Sequence, residues 1–355
     1  MRYESAPQDS GSVSKQQRIK LVDIAEAVGL DKSTVSLALR SDQRIKPATR
    51  KRVMEAAARM GYKPDPHLSQ LMGYLRATND KTQAACIAYL KLYPSGLEGL
   101  DQTPFFKAFE DGAKAEMERL GYRIEVFRLL DYRGNLKRLS DVLINRGIQG
   151  LIVSPPVGIT ELEEFDWSRF SAITMGYRLR SPRLCRVVCD QLATIRTVME
   201  TLSRRGYRRP LLAYRRGRDE HVNRRWSIAF EGSIHLFPSF VEQSIYSGDP
   251  DEGFVEFVRK REIDSVIGLS FDFAQALEVA GIKFPDDLGF ALLDKYDGPD
   301  GVSCVDQKPF LLGQMAARQL SGFLDRHEVG LFDDPFTVAI HPDWCEGLTL
   351  KGESS

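Results

Sequence analysis

Three side chains in the stretch GLDKSTVSLALR, residues 29–40, can each touch the edge of a base pair. The Lys32 ammonium donates to a guanine. The Ser33 hydroxyl donates or accepts. Leu37 has no hydrogen bond to offer but packs against a thymine methyl. Nearby, Thr34, Ser36, Arg44, Thr49 and Arg50 carry hydroxyls and guanidinium groups that suit phosphate oxygens. The combined chemistry is recognition of double-stranded DNA, with cations and hydroxyls on the backbone and a few side chains on the bases.

Such groups need a rigid helix to present them. At about 100° per residue, Val35, Ala38 and Leu39 fall on one side of a helix over KSTVSLAL, and Lys32, Ser33, Ser36 and Leu37 fall elsewhere. Asp31 stands where an N-cap would accept from the first free N–H groups. Before it, LVDIAEAV places Leu21, Ile24, Ala25 and Val28 at helical spacing, and Gly29 suits the left-handed turn that closes a helix. After the linker RSDQRIK, Pro47 opens a third helix, PATRKRVMEAAARM, with Val53, Ala57 and Met60 inward and Gly61 at its end. Thr49 and Arg50 lie in its first turn, where the dipole also favours an anion. Helix, turn, helix, linker, helix is the order of a helix-turn-helix module, whose second helix enters the major groove. The alternative is a plain three-helix bundle with a solvated face.

Pro64 and Pro66 then bracket Asp65, a good cap for a short helix HLSQLMGYL. That helix is too short to stand alone, and Leu68, Leu71, Met72 and Leu75 need cover. Leu71 suits an apolar wedge in a minor groove; a packed interdomain linker is the equal alternative. ATNDKTQ follows as a polar tether.

The whole chain has 49 basic and 49 acidic residues, but residues 18–63 hold eleven Lys and Arg against five Asp and Glu. A basic module before a more acidic body predicts one part for a polyanion and another for something else. No apolar run reaches the roughly 18 residues that span a bilayer, so no membrane partner is expected. MRYESAPQDSGSVSKQQ has no apolar core and reads as a flexible tail, not a secretion signal. Five scattered cysteines lack a second pair to complete a zinc site around Cys185 and Cys189. Buried free thiols, and a reducing cytoplasm, are expected. With no Gly-rich phosphate loop, no GxSxG, no HExxH and five dispersed histidines, neither an enzyme, a metal nor a cofactor is expected.

From about Ala84 strands and helices alternate. ACIAYLKL, YRIEVFRL, GLIVSPP and SAITMGY read as strands; FFKAFEDGAKAEMERLGY and LKRLSDVLINRG read as helices. A second set runs through DQLATIRTVMETLSRRGY, RPLLAYR, RWSIAFEGSIHLF, SVIGLS, FAQALEVAG and LGFALLD. This predicts parallel α/β sheets in two halves, with a ligand captured in the cleft between strand ends.

LVDIAEAVGLDKSTVSLALR followed by IKPATRKRVMEAAARMGYKPDP resembles the N-terminus of the lac-repressor (LacI/GalR) family of transcription regulators. The pattern D-(V/I)-A-x-x-A-G-V, S-T-V-S-x-x-L, T-R-x-(K/R)-V, G-Y-x-P-N is nearly all present. The resemblance implies a homodimer on a pseudo-palindromic operator, with recognition helices in two major-groove half-sites and hinge helices in the central minor groove. It puts base reading on Lys32, Ser33 and Leu37, and the minor-groove wedge on Leu71. Many members carry arginine where this chain has Leu37, and Asp65 replaces the usual asparagine.

RGIQGLIVSPP, LSRRGYRRPLLAY, DDLGFALLD and VSCVDQKPFLLGQMAARQL fit segments of the family's body. That body resembles a periplasmic sugar-binding protein, two α/β lobes with an effector in the cleft. The implied cleft positions are Phe105, Phe106 and Phe109 in the first lobe, with Asp272, Asp294 and Gln307 from later segments. Each phenylalanine also fits plain core, and Asp294 also fits a loop cap. Trp226 stands in the slot where sugar-binding members often place an arginine, and it can stack on a sugar ring or another flat ligand. Gly176 stands where a cleft aspartate is expected. The arginine run 204–225 suits an anionic effector or, more simply, a solvated surface with one or two structural pairs. No leucine heptads follow residue 350, so a dimer is expected over a tetramer.

The expected map is a tail over 1–17, a helix-turn-helix domain over 18–63, a hinge helix and linker over 64–81, and a two-lobed effector and dimerisation domain over 82–350. The expected function is transcriptional repression, modulated by a sugar or sugar-like effector. A DNA-binding regulator with no effector and a solute-binding protein are the alternatives.

Overall fold

The computed structural model describes residues 19–39, 45–62, 85–93, 103–156, 161–162 and 164–353. The chain divides into two compact units, Met1–Met72 and Gly73–Ser355. The expected tail, Arg44, and the segment 64–81 with Leu71 lie outside the described residues.

The N-terminal unit contains α1 (Leu21–Val28), α2 (Lys32–Leu39) and α3 (Pro47–Arg59). Ile24, Ala25, Val35, Ala38, Val53, Ala56 and Ala57 are its buried core, with Leu21, Val28, Leu39 and Met60 packed around them. Small alanines at the centre let the three helices approach closely. Gly29 has φ +64°, a backbone state that favours glycine. It lets the Leu30 N–H turn back onto the Ala25 carbonyl at 3.0 Å. Asp31 caps α2, accepting from the Thr34 N–H at 2.8 Å. The Arg52 guanidinium donates to the Val28 carbonyl at 3.0 Å, tying α3 to the end of α1.

The second unit has two lobes. Lobe one is built on a sheet ordered β11-β5-β4-β3-β1-β2, from β1 (Cys86–Lys91), β2 (Arg123–Arg128), β3 (Gly150–Val153), β4 (Ser171–Met175), β5 (Arg186–Cys189) and β11 (Thr337–Ile340). Lobe two is built on β12-β10-β9-β8-β6-β7, from β6 (Pro210–Tyr214), β7 (Ser244–Ser247), β8 (Ser265–Gly268), β9 (Gly289–Leu292), β10 (Cys304–Asp306) and β12 (Asp343–Cys345). The pairings are parallel except β10 with β12. Helices α4 (Pro104–Arg119), α5 (Leu136–Asn145) and α10 (Pro309–Arg326) cover lobe one; α6 (Gln191–Arg204), α7 (Arg225–Ser233), α8 (Glu252–Lys260) and α9 (Asp272–Val279) cover lobe two. Each sheet has an apolar cluster on both faces, which is why its inner strands read as short continuous apolar runs. Strands β5, β7, β10, β11 and β12 and helices α8 and α10 were not anticipated as elements from the sequence.

The chain passes between lobes three times, at 189–191, 306–309 and 340–343. The crossings are tied together. The Asp190 N–H donates to the Ile340 carbonyl at 2.9 Å. The Gln191 amide donates to Gln307 at 2.9 Å, and Lys308 pairs with Asp343 at 2.7 Å.

In lobe one, α4 and α10 touch backbone to backbone. A Cβ at Gly112 would lie 2.0 Å from the Phe310 carbonyl oxygen, and one at Gly313 would lie 2.1 Å from that of Phe109. Cys185, Cys189 and Cys304 are buried free thiols, as expected of all five, but Cys86 and Cys345 are only half-buried. Among the described residues no helix is long and apolar enough to cross a membrane.

Candidate functional site

The outward face of α2 is clear of the core. Lys32 and Ser33 are exposed, while Thr34, Ser36 and Leu37 are half-buried. None of these five belongs to the apolar cluster that holds the three helices together. Among the described residues, Leu37 is therefore a half-buried apolar side chain outside the cluster that holds the bundle together. Ser33 and Thr34 are more constrained than their residue types suggested. Both hydroxyls donate to the Asp31 carboxylate, Thr34 at 2.6 Å, and these bonds hold that carboxyl well below the usual carboxylate range. With its proton committed, each hydroxyl is left as an acceptor. Ser33 then suits a base amino group rather than a base carbonyl, and Thr34 loses the donor that a phosphate requires. Thr49 and Arg50 occupy the first turn of α3, whose N-cap residue Lys46 supplies no side-chain cap.

The lobes of the second unit enclose a cavity of about 370 Å³. Phe105, Phe106, Phe109, Asp294 and Gln307, positions carried over from the resemblance, line it, and so does Trp226, which stands in the slot of the family's arginine. Asp272 does not. It sits at the start of α9 with its carboxylate taken by Arg215 and Ser270, so it serves a surface pair and not the cleft.

Pro104 opens α4, and the three phenylalanines follow within two turns. Phe105 meets Phe109 edge-on at 5.0 Å and Phe106 at 5.9 Å. Phe109 is only 3% exposed and belongs to the core of lobe one, so it is both core and wall. Phe105 also reaches Tyr296 of lobe two at 6.2 Å, which closes one side of the cavity.

Trp226 was expected to stack on a ligand, but it is only 8% exposed and lies in the core of lobe two. Its indole N–H donates to the Gln191 side-chain Oε1 at 2.6 Å. Gln191 donates in turn to Gln307, which donates to the Leu293 carbonyl at 2.8 Å. Trp226 and Gln307 thus border the cavity as members of a buried amide chain, with their donors satisfied by protein.

Asp294 does two things at once. It caps the turn after β9, accepting from the Tyr296 N–H at 3.0 Å, and it faces the cavity. Burial pushes its carboxyl up to about 7, with Asp297 and Asp306 adding repulsion against the Tyr296 hydrogen bond. Burial also raises Asp297, to about 6. Gly176 has φ +73°, a conformation the expected aspartate would strain to adopt.

Several wall residues were missed in the sequence: Tyr177, Arg178, Gln191, His221, Tyr296 and Asp297; Arg218 entered only as a member of the arginine run. Most sit on short turns whose local pattern carries no signal, and Gln191 opens α6. The arginine run is also more structural than expected. Arg205 is buried and holds Glu346 at 2.7 Å and the Lys351 carbonyl at 2.7 Å. Arg209 pairs with Glu242 and Glu262, and Arg225 covers the Tyr177 ring at 4.2 Å.

A family model described as bacterial regulatory proteins, lacI family, matches residues 20–65. No curated protein matches the chain in sequence. Among solved structures, the lac repressor dimer bound to operator and the anti-inducer ONPF shares 15% identity at TM-score 0.54, over 94% of this chain and 99% of that one. A lacI-family transcriptional regulator from Silicibacter pomeroyi shares 19% at TM-score 0.52, over 94% and 100%. A periplasmic binding protein/LacI transcriptional regulator from Alkaliphilus metalliredigens QYMF, complexed with D-xylulofuranose, shares 14% at TM-score 0.55, over 76% and 100%. At these identities the likeness is one of fold. Residues 20–65 belong to the lacI family of bacterial regulatory proteins, and the body behind them has the two-lobed α/β fold of structures from that family.

Proposed function

We propose that the protein is a sequence-specific DNA-binding transcriptional repressor, acting as a homodimer on a pseudo-palindromic operator. In this proposal residues 18–63 read the half-site, 64–81 form a hinge with Leu71 as the minor-groove wedge, and 82–350 bind an effector and dimerise. Lys32, Ser33 and Leu37 meet base edges; Ser36, Arg44, Thr49 and Arg50 meet phosphates. The observation that carries the proposal is the outer face of α2, where Leu37 stays outside the core cluster beside exposed Lys32. A leucine outside the cluster of its own bundle fits an apolar contact with a thymine methyl.

The second half of the proposal is that a small, sugar-like molecule in the cleft sets operator affinity. Its support is a cavity walled by both lobes, with rings on one side and ionisable groups on the other. A ligand touching both walls favours one lobe arrangement over another, and that difference is the coupling free energy an effector needs.

Selection of bound duplexes from random-sequence DNA tests the DNA half. It should return a two-fold symmetric site, and affinity for that site should fall at least tenfold between 50 and 200 mM salt, because phosphate contacts release counterions. An enriched site without symmetry, or binding indifferent to salt, overturns it.

A further inference from the structure

One corner of the cleft is built from basic groups of both lobes. Arg178 lies in the connection from β4 to β5 of lobe one, while Arg218 and His221 follow β6 of lobe two. Arg178 Nη2 is 2.8 Å from His221 Nδ1. Burial, then Arg178 and Arg218, hold His221 down to about 4, so its ring is neutral and accepts from Arg178. Burial and the neighbouring Arg218 lower Arg178 to about 10, which still leaves it a cation. Among the described residues neither guanidinium has an ion-pair partner; Asp294 and Asp297, on another turn of the same lobe as Arg218, feel its charge without bonding to it. Two cations, half-buried Arg178 and exposed Arg218, thus repel each other at the cleft wall with no bonded counter-ion, a repulsion that an arriving anion relieves. The remaining wall is mostly rings and aliphatic chains.

We infer that the cleft takes a monocarboxylate on a ring-shaped body, its carboxylate held between Arg178 of lobe one and Arg218 and His221 of lobe two, its ring against Phe105, Phe106 and Phe109. This rests on the cleft being the effector site. A single negative charge fits better than a phosphate dianion, because Asp294 and Asp297 oppose further charge from a neighbouring turn of lobe two. The bridging carboxylate cancels the repulsion between Arg178 and Arg218, so it favours the arrangement in which the two lobes approach. Lobe closure then depends on the charge of the ligand and not only on its shape.

The full-length protein is titrated by calorimetry with D-glucuronate, D-galacturonate and 4-hydroxybenzoate, with glucose, galactose and 4-hydroxybenzyl alcohol as neutral counterparts, and with glucose 6-phosphate. At least one carboxylate should bind about tenfold or more tightly than its neutral counterpart and than the phosphate, since a charge-assisted pair is made only by the acid. Arg178→Met and Arg218→Gln should each weaken that acid by about tenfold or more. Arg218 is exposed, so Arg218→Gln keeps the test alive if Arg178→Met fails to fold. The uronates and the hydroxybenzoate decide between a sugar acid and an aromatic acid. The inference is overturned if no carboxylate binds, if a neutral compound or the phosphate binds as tightly as the acid, or if Arg218→Gln leaves the acid's affinity unchanged. Tight binding of a neutral sugar would still leave the cleft standing as the effector site. A bound compound that leaves operator affinity unchanged would refute that broader proposal instead.

Discussion

The two lobes bring opposite materials to one cavity. Lobe one supplies rings on a helix that is locked by backbone contact, with α4 pressed on α10 at Gly112 and Gly313. Lobe two supplies ionisable groups on short turns, with Asp294, Asp297, His221 and Arg218 around the mouth. A helix fixed at van der Waals distance cannot adapt, whereas a turn can repack and titrate. Lobe one therefore sets most of the fixed shape of the space and lobe two most of its charge, with Arg178 the one cation that lobe one adds among the described residues.

The largest expected effect tests the rigid wall. An alanine in place of a helical glycine ordinarily stabilises by about 1 kcal/mol. At Gly313 the new Cβ would lie 2.1 Å from the Phe109 carbonyl oxygen, so Gly313→Ala should instead destabilise by about 3 kcal/mol or more, read from the urea midpoint. A stabilised variant breaks the contrast between the lobes.

Asp294→Asn tests the charged wall. The folded carboxyl keeps its proton up to about 7, against an ordinary value of 3.8. Folding is therefore favoured in full below about pH 3.8, and the advantage is lost as pH rises through 7. Asp294→Asn should gain about 2 kcal/mol over the parent at pH 8 and nothing near pH 3.5, a figure reduced because one side of the group meets the cleft. His221 runs the other way. Its folded value near 4 lies below the ordinary 6.5, so its contribution is present above pH 6.5 and lost as pH falls towards 4. The two dependences oppose each other, and removing Asp294 should leave the histidine slope exposed in parallel melts at pH 4, 6 and 8. A gain that does not vary with pH sinks the assignment.

The smallest effect sharpens where the lobes meet. Phe105 is half-buried and touches Tyr296 across the cleft. Phe105→Ala should cost about 1 kcal/mol, the worth of edge-on ring contacts at a site open on one side. A loss as large as that of Gly313→Ala would show that the ring is core and not cleft wall.

The N-terminal unit was almost fully legible in the sequence. Its three helices depend on local signals, namely helical apolar spacing, Asp31, Gly29 and Pro47, and the structure uses each of them. What the sequence did not show was the competition for protons that Asp31 imposes on Ser33 and Thr34. In the body, the inner strands β1, β3, β4, β6, β8 and β9 were visible because parallel strands buried on both faces read as apolar runs, whereas the short inner strands β5 and β10 were not. Edge strands β11 and β12 were not, because TVAI and DWC carry partly exposed residues and owe their shape to distant partners. Of the cleft, the phenylalanines, Asp294 and Gln307 came through resemblance alone. The meeting of Arg178, Arg218 and His221 was out of reach, since it depends on two lobes coming together and not on any spacing along the chain. Asp272 was misplaced because its partner Arg215 lies far off in sequence.

The ties among the three crossings bear on how the body can move. Three independent strands of chain would let two lobes bend, twist and slide. Here Asp190 holds Ile340, Gln191 holds Gln307, and Lys308 holds Asp343, so each crossing is fastened to a neighbour by a bond near the pivot. Twist and slide must stretch those bonds, while rocking about the line through them does not. The fastened crossings leave the lobes one easy degree of freedom, and any molecule that fixes the angle of that single axis fixes the geometry of the whole body.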